Sequence, residues 1–162
     1  MIIQHLKWYS RAVAGLEQWI APIFDLAIRL YIAKIFFWSG LTKIQSWSTT
    51  LALFEYEYDV PLLPTDAAAV LGTGAELILP PLLAIGLGTR PVAFALFVFN
   101  YIAATSYPDI SDAGLKDHFY WGFLMLVPLF HGPGKLSADY WIWRRVEKAV
   151  TTSPGRADAS PT

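Results

Sequence analysis

Four long apolar stretches in succession constrain this chain more than any other feature, because apolar surface on that scale needs a non-aqueous solvent. A bilayer core of ~30 Å takes about 20 helical residues at ~1.5 Å rise. The stretches run from Ala21 to Leu41, Ala67 to Leu87, Pro91 to Tyr107 and His118 to Phe130. Only Gly88, Thr89 and Arg90 separate the second from Pro91, a residue that starts helices well, so the second and third form a helical hairpin. The fourth is short, and it reaches a full span if it begins near Asp112. The expected fold is all-α, a four-transmembrane-helix bundle flanked by interfacial amphipathic helices. An apolar share of 55% against 15% charged residues in 162 agrees with that class.

Charge orients the bundle. Basic residues collect on the cytoplasmic side of short membrane-protein connections. With four spans drawn, Lys7, Arg11, Arg90, Lys135, Arg144, Arg145, Lys148 and Arg156 fall on one side, leaving Lys43 and Lys116 on the other. That other side carries Glu55, Glu57, Asp59, Asp66, Asp109, Asp112 and Asp117. An odd number of spans scrambles this partition. The expectation is a multi-pass protein of the cytoplasmic (inner) membrane with both termini in the cytoplasm.

The flanks divide the chain further. Residues 1–20 read as a basic amphipathic helix in the interface, with Tyr9, Val13, Leu16 and Ile20 at helical spacing. A cleaved signal peptide fits less well, because Asp25, Arg29 and Lys34 interrupt the following run and no small-x-small cleavage site occurs. Residues 21–132 form the four-helix domain. Within 133–150, Ser137 can cap a helix whose Tyr140, Trp141 and Trp143 suit the interface and whose Arg144, Arg145 and Lys148 suit anionic head groups. Residues 151–162 read as a disordered tail, and the segment from Lys43 to Asp66 as a long acidic outer loop.

Ionisable residues within the spans need partners, because each costs at least ~2.5–3.5 kcal/mol on insertion scales. Asp25 and Arg29 are four residues apart and can pair along one helix face. Lys34 can snorkel outward or reach another helix. Arg29, Ala33, Phe36, Gly40 and Lys43 share a stripe whose small residues admit a neighbouring helix. Glu76 lies mid-span and must be paired or protonated; by depth, Arg29 is its natural partner. Pro80 and Pro81 free the carbonyls of Glu76 and Leu77 beside it. Asn100 and His118 add polar groups from the third and fourth spans.

Arg29, the Ser39-Gly40-Leu41-Thr42-Lys43-Ile44 segment, Glu76 and Gly86-Leu87-Gly88-Thr89-Arg90 together resemble the DoxX family of small bacterial and archaeal membrane proteins, over about Leu26 to Gly132. The positions matching the recurring pattern are Arg29, Gly40, Lys43, Glu76, Gly86 and Arg90. The resemblance implies a four-helix membrane bundle in a redox or quinone setting. Relatives include subunits of a thiosulfate:quinone oxidoreductase, quinol-oxidase-associated subunits, and components linked to oxidative stress, thiol balance or metal stress.

Arg29, Lys43, Glu76, Arg90 and Asn100 are thus the candidate ligand-binding or buried polar cluster, with no catalytic residue assigned. Two accounts of it stand side by side. The cluster fixes helix register and packing, or it binds a quinone head group or relays a proton among aromatic neighbours such as Phe36, Phe37, Trp38, Phe97 and Tyr101. The corresponding functions are an accessory subunit in a quinone-linked redox or oxidative- or metal-stress system, a non-catalytic membrane scaffold or assembly protein, and a transporter of small solutes or metal complexes. No tightly bound cofactor is expected, and quinone is the one candidate. The lipid bilayer is the expected partner, together with a redox or metal-stress protein or further copies of the chain.

Chemistry is also excluded. Without cysteine there is no disulfide, thiolate metal site or iron–sulfur cluster within this polypeptide. His118 and His131 are 13 residues apart, about 20 Å along one helix, so they cannot share a haem iron. They are expected to cap or hydrogen-bond. No metal site is assigned, although Glu55, Glu57 and Asp59 form a weak hard-cation candidate, and no basic cluster suggests nucleic acid.

Overall fold

A computed structural model describes residues 2–152. These are helical almost throughout, with no strand among the described residues. Helix α1 (Ile2–Gly15) runs through a π-helical turn at Leu16–Ile20 into α2 (Ala21–Gln45). Pro22 accounts for that turn, since it cannot donate to the carbonyl of Gln18 and its ring crowds that carbonyl. The remaining helices are α3 (Trp47–Tyr56), α4 (Thr65–Ile85), α5 (Thr89–Thr105), α6 (Asp112–Phe130) and α7 (Ala138–Thr152).

Four helices close into a ring, with α2 and α5 each packed against both α4 and α6. Ile32, Phe36, Leu83, Val92, Ala93, Leu96 and Met125 fill its centre. Gly40 sets the closest approach of α2 to α4, where a Cβ would stand 2.9 Å from that of Glu76. The stripe of small residues therefore does what its spacing suggests. Gly86 and Gly88, both left-handed, make the turn between α4 and α5. Ser111 caps α6 by accepting from the Gly114 amide at 3.1 Å, so the helix does begin at Asp112. Likewise Ser137 accepts from the Tyr140 amide at 3.2 Å at the start of α7.

Helix α3 corrects the expectation of an acidic loop between Lys43 and Asp66. Leu51 and Phe54 pack with Ala68 and Ala69 of α4, and the hydroxyl of Thr50 donates to the Lys43 carbonyl at 2.7 Å. A ten-residue helix is thus folded back over one end of the ring, and only Glu57 to Pro64 remain as a connection. Helix α7 extends through Thr151 and Thr152; the rest of the expected tail, 153–162, lies outside the described residues.

Among the described residues one helix, Thr65–Ile85, is by itself long and apolar enough to cross a membrane. Helix α2 has the length but carries Asp25, Arg29, Lys34 and Lys43, α5 has 17 residues, and α6 carries Asp112, Lys116 and Asp117. The outer faces of all four are nevertheless mostly apolar, with Lys34 an exception on α2. Ile23, Phe24, Leu30, Tyr31, Trp38, Ile78, Ile85, Phe94, Val98, Tyr101, Phe119 and Phe123 are exposed.

Candidate functional site

The expected pairing of Arg29 with Glu76 does not form. Lys43 takes Glu76 instead: its ammonium lies 2.8 Å from each carboxylate oxygen. Ser39 completes the group, donating to Oε1 of Glu76 at 3.0 Å and accepting from Lys43 at 2.9 Å. The reason is register. Gly40 brings α2 against α4 at Glu76, and Ser39 and Lys43, one before and three after it, close over the carboxylate from either side. Arg29 is more than two turns further down α2, at the opposite end of the ring.

There Arg29, almost wholly buried, donates to the carbonyls of Leu83 (3.2 Å) and Ala84 (3.0 Å) in the last turn of α4, and to that of Leu136 just before α7. It caps the last turn of α4, where the end of a helix leaves acceptors open, sharing the Leu83 carbonyl with the Gly86 amide. Gly86 is the residue that admits it: its φ is +72°, and a Cβ would lie 2.4 Å from a guanidinium nitrogen. Asp25 does not pair with Arg29 as the four-residue spacing suggests. It meets Nδ1 of His131 at 3.0 Å, and Gly134 lies against it. Lys34 points away from the ring and is exposed, and Arg90, also exposed, stands over Gly132 outside both clusters.

Asp139 is the residue of this end that sequence reasoning missed. Its carboxylate accepts from the amides of Gly88 and Thr89, each at 2.8 Å, and its own amide donates to the Gly86 carbonyl at 2.9 Å. One side chain therefore caps the N-terminus of α5 and pins α7 to the turn between α4 and α5. The only sequence signal is an acidic residue in the first turn of a helix, which ordinarily serves its own helix.

At the α3 end, a cavity of about 660 Å³ lies between α2, α3, α4 and α5, with His118 and Trp121 of α6 on its wall. Its lining is mostly apolar and aromatic, including Phe36, Phe54, Phe94 and Phe99, and the triad of Ser39, Lys43 and Glu76 opens onto it. Phe36 holds Phe99 and Trp121 edge-on, and Tyr58 stacks edge-on against Phe54 and Tyr107 at the α3 side. Burial, with a smaller contribution from the charge of Glu76, pushes the Tyr58 phenol up, so it keeps its proton. Asn100 is buried behind the cavity and grips His118 twice, donating to its carbonyl at 2.9 Å and meeting Nδ1 at 2.8 Å. The candidate cluster thus divides in two, with Lys43, Glu76 and Asn100 around the cavity and Arg29 at the far end. Both histidines make hydrogen bonds, as expected of them.

The family model for DoxX matches residues 24–107. This chain belongs to the DoxX family. The match is shorter than the resemblance read from the sequence and ends before α6, so Ser39, Lys43 and Glu76 lie inside it while His118 and Asp139 do not. An uncharacterized protein of Haemophilus influenzae is 32% identical over 121 residues, covering 70% of this chain and 80% of that protein. No solved structure matches. Membership in DoxX places the chain among membrane-associated proteins.

Proposed function

We propose that this DoxX protein crosses the cytoplasmic membrane four times, through α2, α4, α5 and α6, with both termini in the cytoplasm, and that its α3-end cavity receives the aromatic head group of a quinone-class molecule. In this reading it is an accessory subunit of a quinone-linked redox system, and a partner supplies the electron carriers. Support for the topology comes from the exposed apolar faces around the ring, since patches of that extent mark contact with lipid or protein. The turn with Arg90 and the connection with Lys135 share one end, while Glu57, Asp59 and Asp109 share the other, in keeping with basic residues inside.

The observation that carries the binding reading is the cavity: about 660 Å³, walled by aromatic rings, with one buried charge pair opening onto it. Ligand sites of small molecules have that size and that mixture of apolar walls and few polar groups. The group fits these residues, because a flat ring can lie against the aromatic wall that Phe36, Phe99 and Trp121 form together while the triad and His118 offer polar contacts. The test is a titration of short-chain benzoquinone, oxidised and reduced, into detergent-solubilised protein, followed by tryptophan quenching. Saturable quenching that Trp121→Phe diminishes supports the reading. Absence of saturation with both forms, in protein that melts cooperatively, overturns it and leaves the buried charges a packing role.

The topology has its own test, made simple by the absence of cysteine. Glu57→Cys should label with an impermeant maleimide in intact spheroplasts, and Arg144→Cys only after lysis. Labelling of both in intact spheroplasts rules out the proposed orientation.

A further inference from the structure

The hydrogen-bonding groups around the cavity are not neutral as to which form of an aromatic ligand they accept. Lys43 has three protons to donate, and contacts to Ser39 and to both oxygens of Glu76 use all three. The Ser39 hydroxyl spends its single proton on Oε1 of Glu76. The triad therefore has no free donor. What it presents to the cavity is the one unused lone pair of a carboxylate, on Oε2.

The wall formed by α6 is fixed in the same sense. Asn100 donates through Nδ2 to the His118 carbonyl, so its Oδ1 is the atom that faces Nδ1 of the imidazole. Turning the amide over would set two oxygens 2.9 Å apart. Because an amide oxygen only accepts, the proton of the neutral ring sits on Nδ1, and Nε2 carries a lone pair. Trp121 holds the ring edge-on at 4.9 Å. Among the described residues nothing donates to Nε2. Tyr58 can serve in either direction, as can Ser106, whose buried hydroxyl has no partner among the described residues, and the indole N–H of Trp121 is a further donor on the wall.

We infer that the cavity selects an aromatic diol, the hydroquinone form of its ligand, over the corresponding quinone. The inference rests on the quinone-class reading and adds the redox form to it. A hydroquinone brings two O–H donors to a carboxylate and an imidazole that can only accept. A quinone brings two carbonyl oxygens, which turn lone pairs toward lone pairs at the Glu76 carboxylate and the His118 imidazole and leave those two hydrogen bonds unmade. Each hydrogen bond made in one form and lost in the other is worth about a factor of ten in affinity. Binding alone is at issue, and no electron transfer is assigned to this chain.

The experiment compares three ligands on the wild-type protein at pH 8, where the imidazole is neutral: a decyl-substituted benzoquinone, its anaerobically reduced hydroquinone, and the monomethyl ether of that hydroquinone. The expected order is hydroquinone tightest, monomethyl ether about tenfold weaker, and quinone weakest. His118→Phe should reduce the preference for the hydroquinone over the quinone about tenfold; since this variant can lose stability, the ether series on the wild type carries the test independently. Equal or tighter binding of the quinone overturns the inference while leaving the cavity a ligand site. Failure of all three to bind removes the site as well.

Discussion

Lys43 reaches both carboxylate oxygens of Glu76 at 2.8 Å, and the two side chains are 13% and 7% exposed. Losing one member of such a pair leaves the other buried without its counter-charge, whereas losing both leaves no such group. Lys43→Met should therefore cost about 3 kcal/mol, and the double variant with Glu76→Leu should recover a large part of that loss. Chemical denaturation of the four members of the cycle measures the coupling. A double variant as unstable as the sum of the singles would show that the pair is not coupled.

Gly86 and Gly74 offer a matched comparison in one helix and its cap. A Cβ on Gly86 meets an Arg29 nitrogen at 2.4 Å and sits on a backbone with φ +72°, while one on Gly74 meets nothing within 4 Å. Gly86→Ala should lose at least about 2 kcal/mol. Gly74→Ala should gain about 0.5–1 kcal/mol from helix propensity. Melting temperatures that moved the same way in both would contradict the account of Arg29 seated against Gly86.

Arg29 should not tolerate lysine. Its guanidinium fork spans carbonyls on α4 and the segment before α7, which a single ammonium cannot do. Arg29→Lys should destabilise by about 1–2 kcal/mol, with ligand affinity at the α3 end unchanged because the cavity lining excludes this residue. Thermal unfolding read together with the quinone titration separates the two ends of the molecule.

Asp139→Ala removes the acceptor of two amides. A loss of about 1–2 kcal/mol is expected from the missing cap, and α7 should become the first segment cut by limited proteolysis. Unchanged protection of Trp141 to Arg145 would mean that α7 is held by something other than this carboxylate.

Much of this arrangement was legible from periodicity. The apolar runs fall on α2, α4, α5 and α6, the second and third overrunning their helices by two residues, Gly40 marked a close approach, and Ser137 marked a cap, because each of these depends on residues near one another in the chain. Partner choice was not legible. Arg29 and Lys43 lie on one stripe of α2, and which of them meets Glu76 depends on the axial offset of two helices, a property of the packed pair. Helix α3 was hidden for a related reason: its acidic flank reads as a solvated loop until Ala68 and Ala69 supply a surface for Leu51 and Phe54. Asp139 serves a helix 50 residues away, and no local pattern encodes that.

The carboxylate of Asp139 also acts as a buckle. It joins the start of α7 to the turn ahead of α5, so that α5, α6 and the segment after them form a closed strap returning to its own beginning. A strap of this kind comes apart in a set order. Force applied to the C-terminal end must open the buckle before it can draw α6 from the ring, and the buckle has something to fasten to as soon as the turn between α4 and α5 has formed.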